Sequence, residues 1–215
     1  MSELYISILL MMGAYLLGSI PSAVWIGKYF FGVDVREHGS KNAGATNTFR
    51  TLGKKAGIPV LFFDVLKGWM AIKLFSIFSV YETGSAQYIN FQIALGIIAV
   101  LGHVFPVYVK FKGGKGVATL LGIILALHFQ AAVVAFIIFF VVFIISKYVS
   151  LGAIVTAVFF PFIIVYGFKV QSASLQYFAT TVSILLVITH RKNIYRLLRK
   201  EESKMELKLR LKNDK

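Results

Sequence analysis

The sequence predicts an all-α integral membrane protein, a polytopic bundle of about seven transmembrane helices, two of them short, with the amino terminus outside and the carboxyl terminus cytoplasmic. Three observations predict it. The 215 residues are 58% hydrophobic and only 15% charged, against ~45–50% and ~25% in soluble domains. The apolar residues form long uncharged runs along the whole chain, with a mean hydropathy of +0.77, which is unlike a signal peptide ahead of a secreted domain. Of the 23 Lys and Arg residues, all but Lys73 and Lys169 fall on one side when the runs are threaded as seven crossings, and such a bias marks the cytoplasmic face.

A hydrocarbon core of ~30 Å takes about twenty apolar residues per helix. Leu4 to Gly27, Thr83 to Val109, Tyr148 to Phe168 and Val170 to His190 are each free of Asp, Glu, Lys and Arg and long enough to cross. Ala56 to Tyr81 is a fifth span although it carries Asp64, Lys67 and Lys73. Asp64 and Lys67 lie one helical turn apart and read as a neutral structural pair near the cytosolic end; Lys67 also adds positive potential to that face. Gly116 to Ser146 has no charge and would make a helix of about 46 Å, too long for one upright span and short for two. Breaking it near His128-Phe129-Gln130 into two short helices gives seven crossings and keeps the basic tail inside. His103, three residues before Pro106, is expected to be hydrogen-bonded within the bundle at a helix irregularity rather than to act as a base.

The net charge of +14 would suggest nucleic acid in a soluble protein. Here the positive-inside bias accounts for it, and no nucleic-acid partner is expected. From Arg191 to Lys215 there are ten basic and four acidic residues, with Ile194, Leu197 and Leu198 as an apolar stripe at helical spacing, the pattern of a surface helix on anionic membrane lipid. The absence of cysteine and of HExxH spacing among four histidines removes thiol chemistry and leaves no expected metal site.

Three polar segments share the cytoplasmic side. The first runs from Arg36 to Arg50, within a stretch between Lys28 and Lys55 far longer than the two to six residues a bland connector needs. Its small residues and glycines let backbone N–H groups converge, its hydroxyls and amides add neutral donors, and Arg36 and Arg50 can bracket a phosphate. The second, Lys110 to Thr119, is a Gly-rich turn opening a membrane helix, where exposed N–H groups, a helix N-terminus and Lys115 suit phosphate. It is not an ATP-binding P-loop, because Val109 stands where Gly is required and Gly116 follows Lys115 where Ser or Thr would bind magnesium. The third starts at His190, where Asn193 and Arg196 continue one helical face. Ser150, in a short cytosolic turn, is a weaker candidate for a substrate hydrogen bond.

Together Gly39-Ser40-Lys41-Asn42-Ala43-Gly44-Ala45-Thr46-Asn47, then Gly102-His103-Val104-Phe105-Pro106 leading into Phe111-Lys112-Gly113-Gly114-Lys115-Gly116-Val117-Ala118-Thr119, then His190-Arg191-Lys192-Asn193 resemble the bacterial acyl-phosphate:glycerol-3-phosphate acyltransferase family, PlsY. The likeness runs from about Leu17 to Arg196 in order and spacing and includes Phe63-Asp64-Val65-Leu66-Lys67-Gly68. The clearest departure is Lys41, where many members carry Gly. The resemblance implies a bacterial cell-membrane enzyme, multi-pass with its site facing the cytoplasm. It would move a fatty acyl group from acyl phosphate to the 1-hydroxyl of glycerol 3-phosphate, giving lysophosphatidic acid and phosphate early in phospholipid synthesis. No cofactor is implied. Residues 1–198 would form the transmembrane acyltransferase domain and 199–215 a basic cytoplasmic tail, on which the enzyme that makes acyl phosphate is a possible docking partner.

By resemblance, Gly39, Ser40, Asn42, Gly44, Thr46, Asn47 and Arg50 are assigned to acyl phosphate. Lys112, Gly113, Gly114, Lys115, Gly116, Ser150 and His190 are assigned to glycerol 3-phosphate. Ser40, Asn42, His190 and Asn193 are the catalytic candidates. Two anion sites on one face match a reaction whose two substrates each bear a phosphate. No histidine has an acid five residues on, so the HxxxxD pattern of coenzyme A-dependent glycerolipid acyltransferases is absent. The hydroxyl proton would go either to His190 or to the substrate's own phosphate, with the phosphate favoured. The alternative from another class is a transporter or channel for a phosphate-bearing solute.

Overall fold

The computed structural model describes residues 3–205, and among them every regular element is helical. The first run is not one helix. It is α1 (Glu3–Gly18) and α2 (Ser22–Phe31), bent by 41°, which corrects the unbroken span expected over Leu4 to Gly27. Pro21 has no N–H to donate and disfavours helical geometry at Ile20. Helix α4 (Lys54–Ser76) closes the opened backbone. Lys67 Nζ donates to the Ile20 carbonyl at 2.9 Å, Ser22 Oγ donates to Asp64 at 2.6 Å, and Lys67 pairs with Asp64 at 2.8 Å. The structural role expected of these two charges is thus specific, since they satisfy polar groups released by the break.

Between α2 and α4 the polar segment contains a short surface helix, α3 (Ala45–Leu52), that the sequence reading left as loop. Next come α5 (Ala86–Val104), a 3-10 turn Val107–Val109 beyond Pro106, α6 (Val117–Leu127) and α7 (Phe129–Ser146). The expected division of the long apolar stretch falls at His128, whose imidazole accepts the Ala131 N–H at 3.2 Å and caps α7. Only α6 is short, which corrects the expectation of two short helices, because α7 has 18 residues and so spans about 27 Å. Helix α8 (Val149–Phe162) continues as a π turn, Ile163–Gly167, just after Pro161, followed by α9 (Ala173–Thr189) and, after a 57° bend, α10 (Arg191–Leu198).

Among the described residues three stretches, Ala86–Val109, Phe129–Ser146 and Val149–Gly167, are long and apolar enough to cross a membrane, or up to five if each bent pair counts as one span. The short α6 lies at the centre. Its Leu120, Ile123 and Ala126 pack with Ile72 of α4, Ile93 of α5, Ala153 and Ala157 of α8, and Phe178 and Leu186 of α9. No residue of α6 is classed as exposed, whereas α7 turns Phe136, Ile137, Phe140 and Val141 outward as a lipid-facing helix does.

Glycines bring the helix backbones together, as in membrane proteins, where close packing replaces the hydrophobic drive between helices. A Cβ on Gly122 of α6 would lie 1.9 Å from the Val65 carbonyl oxygen of α4, and one on Gly68 of α4 would lie 2.1 Å from the Thr119 oxygen of α6. Gly18 and Gly102 make the same kind of contact between α1 and α5, against the carbonyls of Ala99 and Tyr15. Residues 199–205 of the expected tail fold back on the bundle, where Met205 N–H donates to the Lys147 carbonyl at 2.9 Å. Residues 206–215 of that tail lie outside the described residues.

Candidate active site

The first polar segment is shaped by two hubs. Asp34 accepts from Arg36 at 2.7 Å and pairs with Lys28 at 3.1 Å; the Arg36 hydrogen bonds hold its carboxyl well below the usual range despite burial. Arg36 also donates to the Val109 carbonyl at 3.1 Å, so it ties the first loop to the second rather than bracketing an anion with Arg50. Asn47 is the other hub, fully buried. Its Oδ1 accepts the Ser40 N–H at 2.9 Å, and its Nδ2 donates to the carbonyls of Val35 at 2.7 Å and His38 at 3.1 Å. Both ends of this amide are engaged within the loop, and what they position is Ser40, which is exposed.

Around Ser40 the backbone turns through the left-handed region twice, at Gly39 (φ 57°) and at Lys41 (φ 58°). Glycine enters this region freely, while other residues are penalised by about 1–2 kcal/mol. That explains why glycine suits position 41, and Lys41 follows the same path with its side chain exposed. Lys41→Gly is expected to stabilise the protein by about 0.5–1 kcal/mol, the relief being partly offset by a more flexible unfolded chain, with activity retained. A rise in the thermal midpoint of the detergent-solubilised protein checks it. Gly44 caps α3, leaving half-buried Asn42 and Thr46 beside that helix start, and Arg50 projects one turn later.

In the second segment the glycines act differently from the expectation. Gly113 N–H donates to the Val104 carbonyl and Gly114 N–H to the His103 carbonyl, both at 3.2 Å. A Cβ on Gly113 would sit 1.9 Å from the His103 oxygen, and one on Gly114 would sit 2.2 Å from His103 Nε2 and 2.9 Å from the Ala43 oxygen. These two glycines let the loop lie against the end of α5 and the first polar segment, and their N–H groups face protein carbonyls rather than open space. His103 supports the turn from beneath. Its Nδ1 lies 3.7 Å from the Asp64 carboxylate, an ion-pair distance longer than a hydrogen bond. Gly116 (φ 82°) begins α6, Lys112 is exposed, and Lys115 Nζ donates to Asn193 Oδ1.

The third segment is bent rather than one continuous helix, with His190 at the junction of α9 and α10. His190 Nδ1 is 2.8 Å from the Leu186 carbonyl, which assigns the proton to Nδ1 and leaves Nε2 as an acceptor. Burial, assisted by the Lys115 charge, lowers its pKa to about 4, so the imidazole is neutral and weakly basic at pH 7. Lys115 is itself lowered to about 8, mainly by burial.

At the centre lies a residue that the sequence reading did not single out. The side chain of Glu202 is 1% exposed. Its carboxylate accepts from Ser150 Oγ at 2.9 Å, Asn193 Nδ2 at 2.8 Å and Arg196 Nε at 2.6 Å, with an Arg50 nitrogen 3.9 Å away. Burial would raise this carboxyl, but the bonds from Arg196, Asn193 and Ser150 outweigh it and hold it below its ordinary value. Arg50, Ser150, Asn193 and Arg196 therefore converge from three separated parts of the chain on one anion, and Lys115 joins them from a fourth through Asn193. The signal in the sequence was slight, two glutamates inside a basic segment. The fold joins the first and second segments through Ala43 and Gly114, but it gives Ser40 and Lys112 no contact with this cluster.

A sequence model of the glycerol-3-phosphate acyltransferase family matches residues 8–200. The glycerol-3-phosphate acyltransferase of Staphylococcus haemolyticus is 41% identical over 194 residues, covering 90% of this chain and 95% of that one. That of Staphylococcus carnosus is 39% identical over 200 residues, covering 93% and 98%. Among solved structures, PlsY (YgiH), an integral membrane glycerol 3-phosphate acyltransferase, superposes in its glycerol 3-phosphate form with a TM-score of 0.79 at 36% identity, covering 93% of this chain and 96% of that one. Its lysophosphatidic acid form superposes with a TM-score of 0.76 at 35% identity, covering 93% and 95%.

Proposed function

The chain belongs to the glycerol-3-phosphate acyltransferase family and is a membrane acyltransferase acting on glycerol 3-phosphate, and from that premise we propose that its acyl donor is acyl phosphate and that the basic cluster binds the acceptor. The observation that carries the assignment is the convergence of Arg50, Ser150 and Asn193 on a single buried anion, with Lys115 bonded to Asn193 beside it. Charged and neutral donors in that arrangement suit a phosphate monoester. Arg50, assigned by resemblance to the donor, is grouped instead with Lys115, since both border the Glu202–Asn193 pair. The donor phosphate and the developing oxyanion are left to Gly39, Ser40, Asn42, Gly44 and Thr46, held in shape by Asn47.

In this scheme the 1-hydroxyl of glycerol 3-phosphate attacks the acyl carbon, a new ester C–O bond forms, and the bond from that carbon to the phosphate oxygen breaks. The released phosphate leaves as inorganic phosphate. A neutral His190 of low basicity favours proton transfer from the hydroxyl to a phosphate oxygen, with His190 Nε2 orienting the acceptor. Since the mixed anhydride is already activated, the step calls on no nucleotide. Seven crossings with the site and carboxyl terminus facing the cytoplasm of the bacterial cell membrane agree with the side on which the basic residues gather. Exposed Arg191, Lys192, Arg199 and Lys200 form a surface for anionic lipid or for the enzyme that supplies acyl phosphate.

The deciding experiment gives the detergent-purified protein radiolabelled glycerol 3-phosphate with either palmitoyl phosphate or palmitoyl-coenzyme A. Lysophosphatidate is expected from palmitoyl phosphate alone. Product from the thioester instead would overturn the donor assignment and leave the acceptor site standing.

A further inference from the structure

We propose that Glu202 is a built-in competitor for the acceptor's phosphate, holding the site's donors until a ligand displaces it. The inference rests on the assignment of Arg50, Lys115, Ser150 and Asn193 to glycerol 3-phosphate. Ser150 has one hydroxyl proton and directs it at Glu202, and Asn193 directs its amide there too. A phosphate that takes these donors must displace the carboxylate from them.

The competitor is tethered, so a ligand in solution meets it at high effective concentration. A ligand with one negative charge offers Ser150, Asn193 and Arg50 no more than Glu202 already does. A phosphate monoester near its dianionic form brings close to two charges and three acceptor oxygens. Lys115 is the group positioned to answer the second charge, because it bonds to Asn193 Oδ1 and not to Glu202. The segment carrying Glu202 is held by backbone contacts from both sides of the site: Arg50 donates to the Ser203 carbonyl at 2.8 Å, Glu201 N–H to Arg196 at 2.8 Å, and Met205 N–H to Lys147 at 2.9 Å. Arg50 thus grips the strap and faces the incoming phosphate at once, so ligand binding and release of Glu202 draw on the same side chain.

The test compares the wild type and Glu202→Gln, measuring KM for glycerol 3-phosphate and the inhibition constant of inorganic phosphate. In Glu202→Gln both constants are expected to fall by about tenfold or more, because a tethered competitor weakens every ligand that must displace it. Constants within about twofold of wild type overturn the proposal. Should the glutamine variant fail to fold, Glu202→Asp retains the charge while withdrawing the carboxylate by one methylene, and the same fall in both constants is expected to a smaller degree; unchanged constants there overturn the proposal equally. Lys115→Ala separates the two readings. If it leaves KM for glycerol 3-phosphate unchanged, the site assignment fails and the competitor with it; if KM rises while the Glu202 variants leave both constants unchanged, only the competitor fails.

Discussion

Lys115→Ala is expected to lower kcat/KM for glycerol 3-phosphate by about 10²-fold or more, the usual outcome when one partner of a buried, hydrogen-bonded charge contact is truncated. The loss should appear in KM for glycerol 3-phosphate. A rise confined to KM for acyl phosphate would exchange the substrates of the two polar segments. The variant also leaves Asn193 Oδ1 without its donor, so part of the effect comes through that side chain. A pH profile isolates the charge. Burial puts the Lys115 pKa at about 8, so the ammonium is intact below that value and kcat/KM for the acceptor falls as pH rises through it. Arginine stays protonated throughout. In Lys115→Arg the alkaline limb should therefore disappear even if the absolute rate is lower, and a limb that persists would assign the titration to another group.

Gly122→Ala is expected to damage the fold more than any surface change. Its new methyl would lie 1.9 Å from the Val65 carbonyl oxygen and 2.9 Å from the Trp69 nitrogen, both backbone atoms of α4 that no side-chain rotation can move. Helices α4 and α6 would have to separate, and overpacking of this kind costs about 1–3 kcal/mol or more. Gly167→Ala is the matched control, because nothing lies within 4 Å of the added carbon. Thermal unfolding followed by size-exclusion chromatography should show a large fall in midpoint for Gly122→Ala and little change for Gly167→Ala. Equal behaviour of the two would mean that α4 and α6 are not held in backbone contact.

Features governed by length and charge were legible in the sequence. The division of the apolar stretch at His128 follows from its length and from the sidedness of the lysines and arginines. The bend at Pro21 had its signal in Ser19-Ile20-Pro21, obscured when uncharged residues were counted as one run. The chemistry of the three polar segments was legible from residue types, but the division of labour within them was not. Whether Gly113 N–H meets a phosphate or the Val104 carbonyl depends on how α5 ends, and Asn47 looks the same in sequence whether its amide serves a ligand or the loop. Glu202 was missed because a glutamate among lysines reads as a solvated charge. Its importance comes from the return of residues 199–205 to the bundle, which only tertiary contacts with Arg50, Lys147 and Ser150 reveal.

The sheltered position of α6 has a consequence for how the enzyme meets its bilayer. With 11 residues the helix is about 16 Å long, roughly half the hydrocarbon thickness. A helix so short would draw the lipid surface inward if it touched lipid. Because α4, α5, α7, α8 and α9 pack around it, the mismatch is absorbed inside the protein, and the helix that follows Lys115 is free to end at any depth. Changes in membrane thickness act first on outer helices such as α7. The loop that carries Lys115 therefore stands on a footing that the surrounding lipid does not directly strain.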